Sequence, residues 1–439
     1  MEGQSPRPEP ARIDEDLLAP ILSTGTGYRL LVGMLAALVL AGAGAWVYQI
    51  RTGIGQTNLN PPIFWGIYIA TFVFWVGVSH SGTFISGALR LSNAEWRRPI
   101  TRIAELMTLF SIVMAAISIF VHLGRVWLFY YMIPFPNQRA LWPNFRSPLM
   151  WDATAILTYA IGSTLFLYLP LIPDFALARR RIGGWRRPLY AMLSLGWRGS
   201  HAQWQKLEMA MRIVCVLIVM VMVSVHSIVG LDFAVALVPG WHSTIFAPFF
   251  VVGAIHSGMG VVVVGLYFVR KVYRLEAYIG LEHFDKMGKL ILVTTLLWGY
   301  MYFVEKLVHW YGQEPAEMAV MHAQLYGTYA WLHWSMIALA FVVPITTVVF
   351  PSFRRWPVGL MVIGLLINAG MYLERILIIV PSLGRPRLPY AWGVYVPSFI
   401  EGTIILGTFA FFLLLYLLAI KFVPLISIWE EKEGLTHAH

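Results

Sequence analysis

The sequence predicts an all-α integral membrane protein of about ten transmembrane helices, and three observations carry that reading. Hydrophobic residues make up 58% of the 439 residues and charged residues only 12%. Mean hydropathy is +0.68. A soluble domain needs roughly twice this share of charge to cover its surface. The apolar residues are also grouped into ten stretches, each reaching the roughly 20 residues that cross about 30 Å of hydrocarbon. In lipid such stretches satisfy their backbone as helices.

Taken in order, residues 1–28 mix Pro, Glu, Arg and Asp and lack both an early apolar core and a small-residue cleavage site. They read as a cytoplasmic tail rather than a signal peptide, with residues 13–22 able to form a short interfacial helix. The spans are expected near 30–50, 62–89, 103–123, 149–172, 208–230, 244–269, 289–310, 329–350, 357–380 and 394–423, and are numbered 1 to 10 below. Lys and Arg set their direction. The two tails and the loops 2–3, 4–5, 6–7 and 8–9 hold 23 basic residues, against 6 in the other five loops. The positive-inside rule therefore places both termini in the cytoplasm. The net charge of +10 is explained by these loops and anionic headgroups, with no need of nucleic acid. Two outer loops, 133–148 and 381–397, are rich in Pro and aromatics and suit an interfacial belt or a docking surface.

A short repeat organises the spans. His80-Ser81-Gly82 in span 2 recurs as His256-Ser257-Gly258 in span 6, and both spans run inward. Same-direction repeats imply two four-helix bundles, spans 2–5 and 6–9, related by a pseudo-twofold along the membrane normal, with spans 1 and 10 peripheral. The corresponding segments are a tail (1–28), the first peripheral helix with its outer loop (29–60), the first bundle (61–239), the second bundle (240–383) and the last helix with its tail (384–439).

Ionisable residues inside a membrane are costly and mark functional sites. His122, Arg125, Asp152, His226 and Asp232 come from three successive spans and gather at the outer end of the first bundle. A His and a carboxylate facing one cavity suit quinol oxidation, because each can hydrogen-bond a ring oxygen and accept its proton. The competing reading is that Asp152 and Asp232 pair with Arg125 or cap helix ends. His80, Ser81, Thr83, Glu105 and His256 form a candidate proton path. Glu305, Lys306, His309, Glu374 and Arg375 read as structural pairs. Glu374 and Arg375 are adjacent, so they point about 100° apart, and each is expected to pair with another helix.

No metal site is expected. The single cysteine, Cys215, excludes a disulfide framework, a cysteine-ligated iron–sulfur cluster and c-type haem attachment. His122 with His226 could ligate a b-haem, but no span carries the paired histidines of a two-haem quinol cytochrome.

From about residue 60 onward the chain resembles a known family. The segments FVFWVGVSHSGTFISGAL, WRRPITRIAELMTLF, HLGRVW, LWPNFRSPLMWD, LIPDFALARRR, GWRGS, VHSIVGLDFAVALVPGWHSTIF and NAGMYLERILIIVPSL are similar to the NrfD-like, polysulfide-reductase-type membrane subunits. They lie nearest to the pair of such subunits in bacterial alternative complex III. The resemblance implies a respiratory-chain subunit of the bacterial inner membrane, inactive alone, that oxidises menaquinol or ubiquinol near the periplasmic face. Electrons would pass to a periplasmic iron–sulfur subunit. Its other implied partners are a homologous NrfD-like membrane subunit, cytochrome c subunits and small membrane subunits. The family's quinol-site histidine falls on His122 and its aspartate on Asp152, with Asp232 as a third member. One departure is clear: where quinol-oxidising members read FPxxHxGRPW, this chain reads ISIFVHLGRVW, without the two prolines. The alternatives are therefore the non-catalytic paralogue of the same complex, acting as scaffold or proton path, and, from a different class, a secondary transporter. Transporters usually show Gly/Pro-broken helices meeting at the midplane, whereas these charges gather at one face.

Overall fold

A computed structural model describes residues 10–132 and 148–436. Ten described helices are long and apolar enough to cross a membrane: Thr26–Thr52, Ile67–Leu91, Glu95–His122, Pro148–Arg181, His201–Ala234, Phe246–Val272, Leu281–Gly312, Ala330–Val348, Pro357–Gly384 and Phe399–Ala419. They are spans 1 to 10, and the chain is a multi-pass membrane protein with no strand among its described residues. The Pro- and aromatic-rich loop expected at 133–148 lies, but for Pro148, outside them.

Spans 2 and 6 are central. In their most apolar windows 89% and 72% of residues are buried, against 11% in span 1. Spans 3, 4 and 5 complete a bundle with span 2, and spans 7, 8 and 9 complete one with span 6. The repeated glycines explain the close contact at the centre. A Cβ on Gly82 would overlap Ala104 and Thr108 of span 3, and one on Gly258 would overlap Ser81 and Val78 of span 2. Small residues let helices approach where lipid supplies no hydrophobic drive between them. Span 1 packs mainly on span 10, with a Cβ position on Gly42 only 2.8 Å from the Gly407 Cα.

Both chain ends fold under the same end of the first bundle. Helix Pro10–Leu22 buries Ile13, Leu17, Leu18 and Ile21 against protein. The short helix expected over 13–22 is present, and its apolar stripe faces protein, with helix Ile428–Thr436 as its main helical neighbour. Asp14 pairs with Lys432 at 2.6 Å and Arg181 at 3.8 Å. Helix Ile428–Thr436 places Glu430 against Arg90 and Arg97. Above it, Arg102 holds Asp174 at 3.0 Å.

Candidate functional site

The site is built at the end of the first bundle opposite the chain termini. Span 3 stops at His122 because Gly124 adopts a left-handed conformation (φ 66°), the usual glycine stop after a helix. His122 is half-buried, and its Nδ1 has no partner among the described residues. Arg125, in the turn beyond, is exposed and forms no ion pair among them. The reading in which it neutralises an aspartate therefore finds no support.

Asp152 lies in the second turn of span 4 and is 4% exposed. Asp232 lies in the last turn of span 5, which packs along span 4. The two carboxyls hydrogen-bond each other. Two carboxylates have no donor to offer, so one of the pair carries a proton. The Oδ1 of each carboxyl has no partner among the described residues. Buried polar atoms are nearly always paired. Three unpaired ones at one end of a bundle (His122 Nδ1, Asp152 Oδ1 and Asp232 Oδ1) therefore suit a ligand with polar groups at its ends.

His226 does not join this group. It is six residues before Asp232, about 9 Å deeper along the helix. Its ring stands 4.6 Å from that of His80 and 5.9 Å from Phe250. Neither ring nitrogen has a well-formed hydrogen bond among the described residues.

The residues read as a proton path divide into separate clasps. His80 sits with Nδ1 2.5 Å from the Val76 carbonyl and Nε2 2.9 Å from that of Met222 in span 5. Ser81 donates to Val78, and Thr83 meets the Tyr159 hydroxyl at 2.7 Å. Glu105 accepts from Ser86 at 2.6 Å and lies 3.9 Å from Arg102. His256 in the other bundle is likewise held through both ring nitrogens, but by different partners. Its Nδ1 is 3.1 Å from Thr294 and its Nε2 3.1 Å from the carbonyl of Ala340. That carbonyl belongs to a π-helical turn, Ala338–Val342, and π turns loosen the regular ladder. A second π turn, Phe84–Ala88, follows His80 in span 2.

In the second bundle, Glu305, Lys306, His309, Glu317, Gln324 and Glu374 line one cavity. Glu305 pairs with His309 at 3.0 Å and Lys306 at 3.2 Å. Glu374 and Arg375 were expected to find partners on other helices, and the structure corrects this. They pair with each other at 2.6 Å, while Trp298 donates to Glu374 at 2.9 Å. The 100° between their Cβ directions is bridged because both side chains are long enough to bend back along the helix surface.

Sequence reasoning passed over Tyr159, the Arg102–Asp174 pair, Glu430, Gln49 and Tyr68. An amide near the end of an otherwise apolar span was the available signal for Gln49. Glu430 sits in a tail whose composition reads as solvated, and nothing local marks it.

A sequence profile described as "Polysulphide reductase, NrfD" matches residues 55–387. The chain is 26% identical to a putative membrane subunit of dimethyl sulfoxide reductase from Halobacterium salinarum, covering 94% of this chain and 95% of that one. It is 23% identical to an Hdr-like menaquinol oxidoreductase integral membrane subunit of Archaeoglobus fulgidus, over 91% and 94%. It is 21% identical to a selenate reductase subunit of Mesobacillus selenatarsenatis, over 92% and 96%.

Proposed function

Since this chain belongs to the polysulphide reductase NrfD family, the membrane subunits of quinol-interacting oxidoreductases, we propose that it binds and oxidises quinol between His122, Asp152 and Asp232. The observation that carries this reading is the set of three polar atoms, unpartnered among the described residues, at one end of the first bundle. A quinol presents two hydroxyls across a flat apolar ring. One hydroxyl donates to a free carboxyl oxygen of the aspartate pair and the other to the imidazole. Oxidation to the quinone releases two electrons and two protons. His122 takes one proton and the carboxyl pair, which holds one proton already, takes the other. The electrons leave to one-electron carriers of a partner subunit docked over this end, an iron–sulfur protein in the alternative complex III arrangement. That arrangement also supplies the homologous membrane subunit, the cytochrome c subunits and the inner-membrane location. Menaquinol is favoured as substrate by the menaquinol oxidoreductase among the relatives. Proton conduction along the His80 side of the first bundle is a further part of the proposal, supported by the buried His80–His226 contact.

The direct test is binding. The fluorescent quinol analogue 2-heptyl-4-hydroxyquinoline N-oxide should be quenched by the purified complex at micromolar concentration. His122→Phe should weaken binding at least about tenfold and abolish turnover of menadiol, a soluble menaquinol analogue. Full binding and turnover in that variant would identify this chain as the silent paralogue.

A further inference from the structure

We infer that Gln49, on the mostly lipid-facing first span, is a positioning residue for the quinol site, holding the end of span 3 that carries His122. The inference rests on the reading of His122 given above.

The argument begins with the helix terminus. The last carbonyls of a helix lose their intrahelical partners. The Val121 carbonyl would regularly accept from the Arg125 amide, but past Gly124 that amide turns to Leu123 instead, at 2.6 Å. The Gln49 side chain fills the gap, its Nε2 donating to the Val121 carbonyl at 3.0 Å. A carbonyl can only accept, so Nε2 must face Val121 and Oε1 must face the other way. There it accepts from the Tyr68 hydroxyl of span 2 at 2.6 Å. Both ends of one amide are thus committed, one to the residue next to His122 and one to the central span.

Three further features separate this contact from ordinary packing. Span 1 buries only Leu35, Gly42 and Gln49, so its one buried side chain with a hydrogen-bonding group is spent at the His122 end. Around it, Tyr68, Val121, Ile404 and Ile405 form an apolar cluster apart from the main core, which excludes water and strengthens the bonds inside. Finally, His122 Nδ1 is itself unpartnered among the described residues. No described partner steers that nitrogen, so the backbone beneath the ring contributes to where it points, and Gln49 holds that backbone.

The test uses the assembled complex with menadiol. Gln49→Met keeps the side-chain length but loses both hydrogen bonds, and Gln49→Leu loses them with a shorter side chain. Per assembled complex, both should lower kcat at least about tenfold with KM changed less than about threefold, since displacing a reacting group by about 1 Å can cost about a hundredfold in rate. Wild-type kcat per assembled complex in Gln49→Met overturns the inference, as does a loss that only tracks the amount of complex formed. A His122→Phe variant with normal turnover would instead overturn the quinol-site reading on which it rests.

Discussion

Replacing Asp152 with Asn separates a working base from a structural acid. The carboxyl is 4% exposed, bonded to Asp232, and keeps one oxygen free among the described residues. Asn fits the same volume and can donate to the Asp232 carboxylate, so the contact between spans 4 and 5 survives. What disappears is the proton-accepting oxygen at Asp152, which leaves Asp232 to accept from a different position. A positioned base contributes about 10²- to 10⁴-fold to rate. We take the lower half of that range, because Asp232 remains as a partial substitute. Turnover of menadiol should therefore fall about 10²- to 10³-fold, or about 2.7–4 kcal/mol at 1.36 kcal/mol per decade. The pair makes a second, sharper statement. If the two carboxyls work as a unit, Asp232→Asn costs a similar factor, and the double variant falls well short of the product of the two. The assay is quinol turnover at matched complex content, with analogue binding confirming that the pocket persists. Turnover within about threefold of wild type in Asp152→Asn would refute the role of the pair.

Other perturbations test the frame around the site. Glu374→Gln leaves Arg375 without its counterion inside the bilayer, and breaking such a buried pair costs about 3–5 kcal/mol. It should lower Tm and assembled yield while leaving the KM for menadiol unchanged. Burial alone would raise the Glu430 carboxyl, but Arg97, Arg90 and Arg102 outweigh it and hold it below the ordinary value of 4.5. Its contribution is therefore complete above about pH 4.5 and lost as pH falls through the lower folded value. Proteolysis of the last helix should accelerate across that interval, and in Glu430→Gln it should be fast even at pH 7. Alkaline phosphatase fused after residue 439 should be inactive in a bacterial host, and strong activity would reverse the orientation drawn from the basic loops.

How far these features were legible in the sequence follows from their range. The spans and their pairing into bundles were readable, because span length is local and the His-Ser-Gly repeat marks equivalent helices. Asp152 and Asp232 were placed at one end by counting loops, yet their direct bond was not foreseen, since it depends on how spans 4 and 5 rotate. His226 was grouped with them by level, although the six residues separating it from Asp232 are enough to give it His80 as its neighbour. The Glu374–Arg375 expectation failed because helical angles constrain Cβ directions, whereas long side chains end where charge takes them. Gln49 and Glu430 were missed for one reason. Each contacts a segment distant in sequence, Gln49 at 72 residues and Glu430 at 333, and no local pattern announces such a partner.

The packing of span 1 against span 10 also dictates an order of assembly. A ribosome adding about 5–20 residues per second needs roughly 20–70 s to travel from one span to the other. During that time the first helix to leave the translocon lacks its main neighbour, and the glycine face around Gly42 lies against lipid. The partners of Gln49, Tyr68 and Val121, lie within the next two spans. The amide bonded to Val121 and Tyr68 in the finished protein is therefore a contact that span 1 can complete before Gly407 is made.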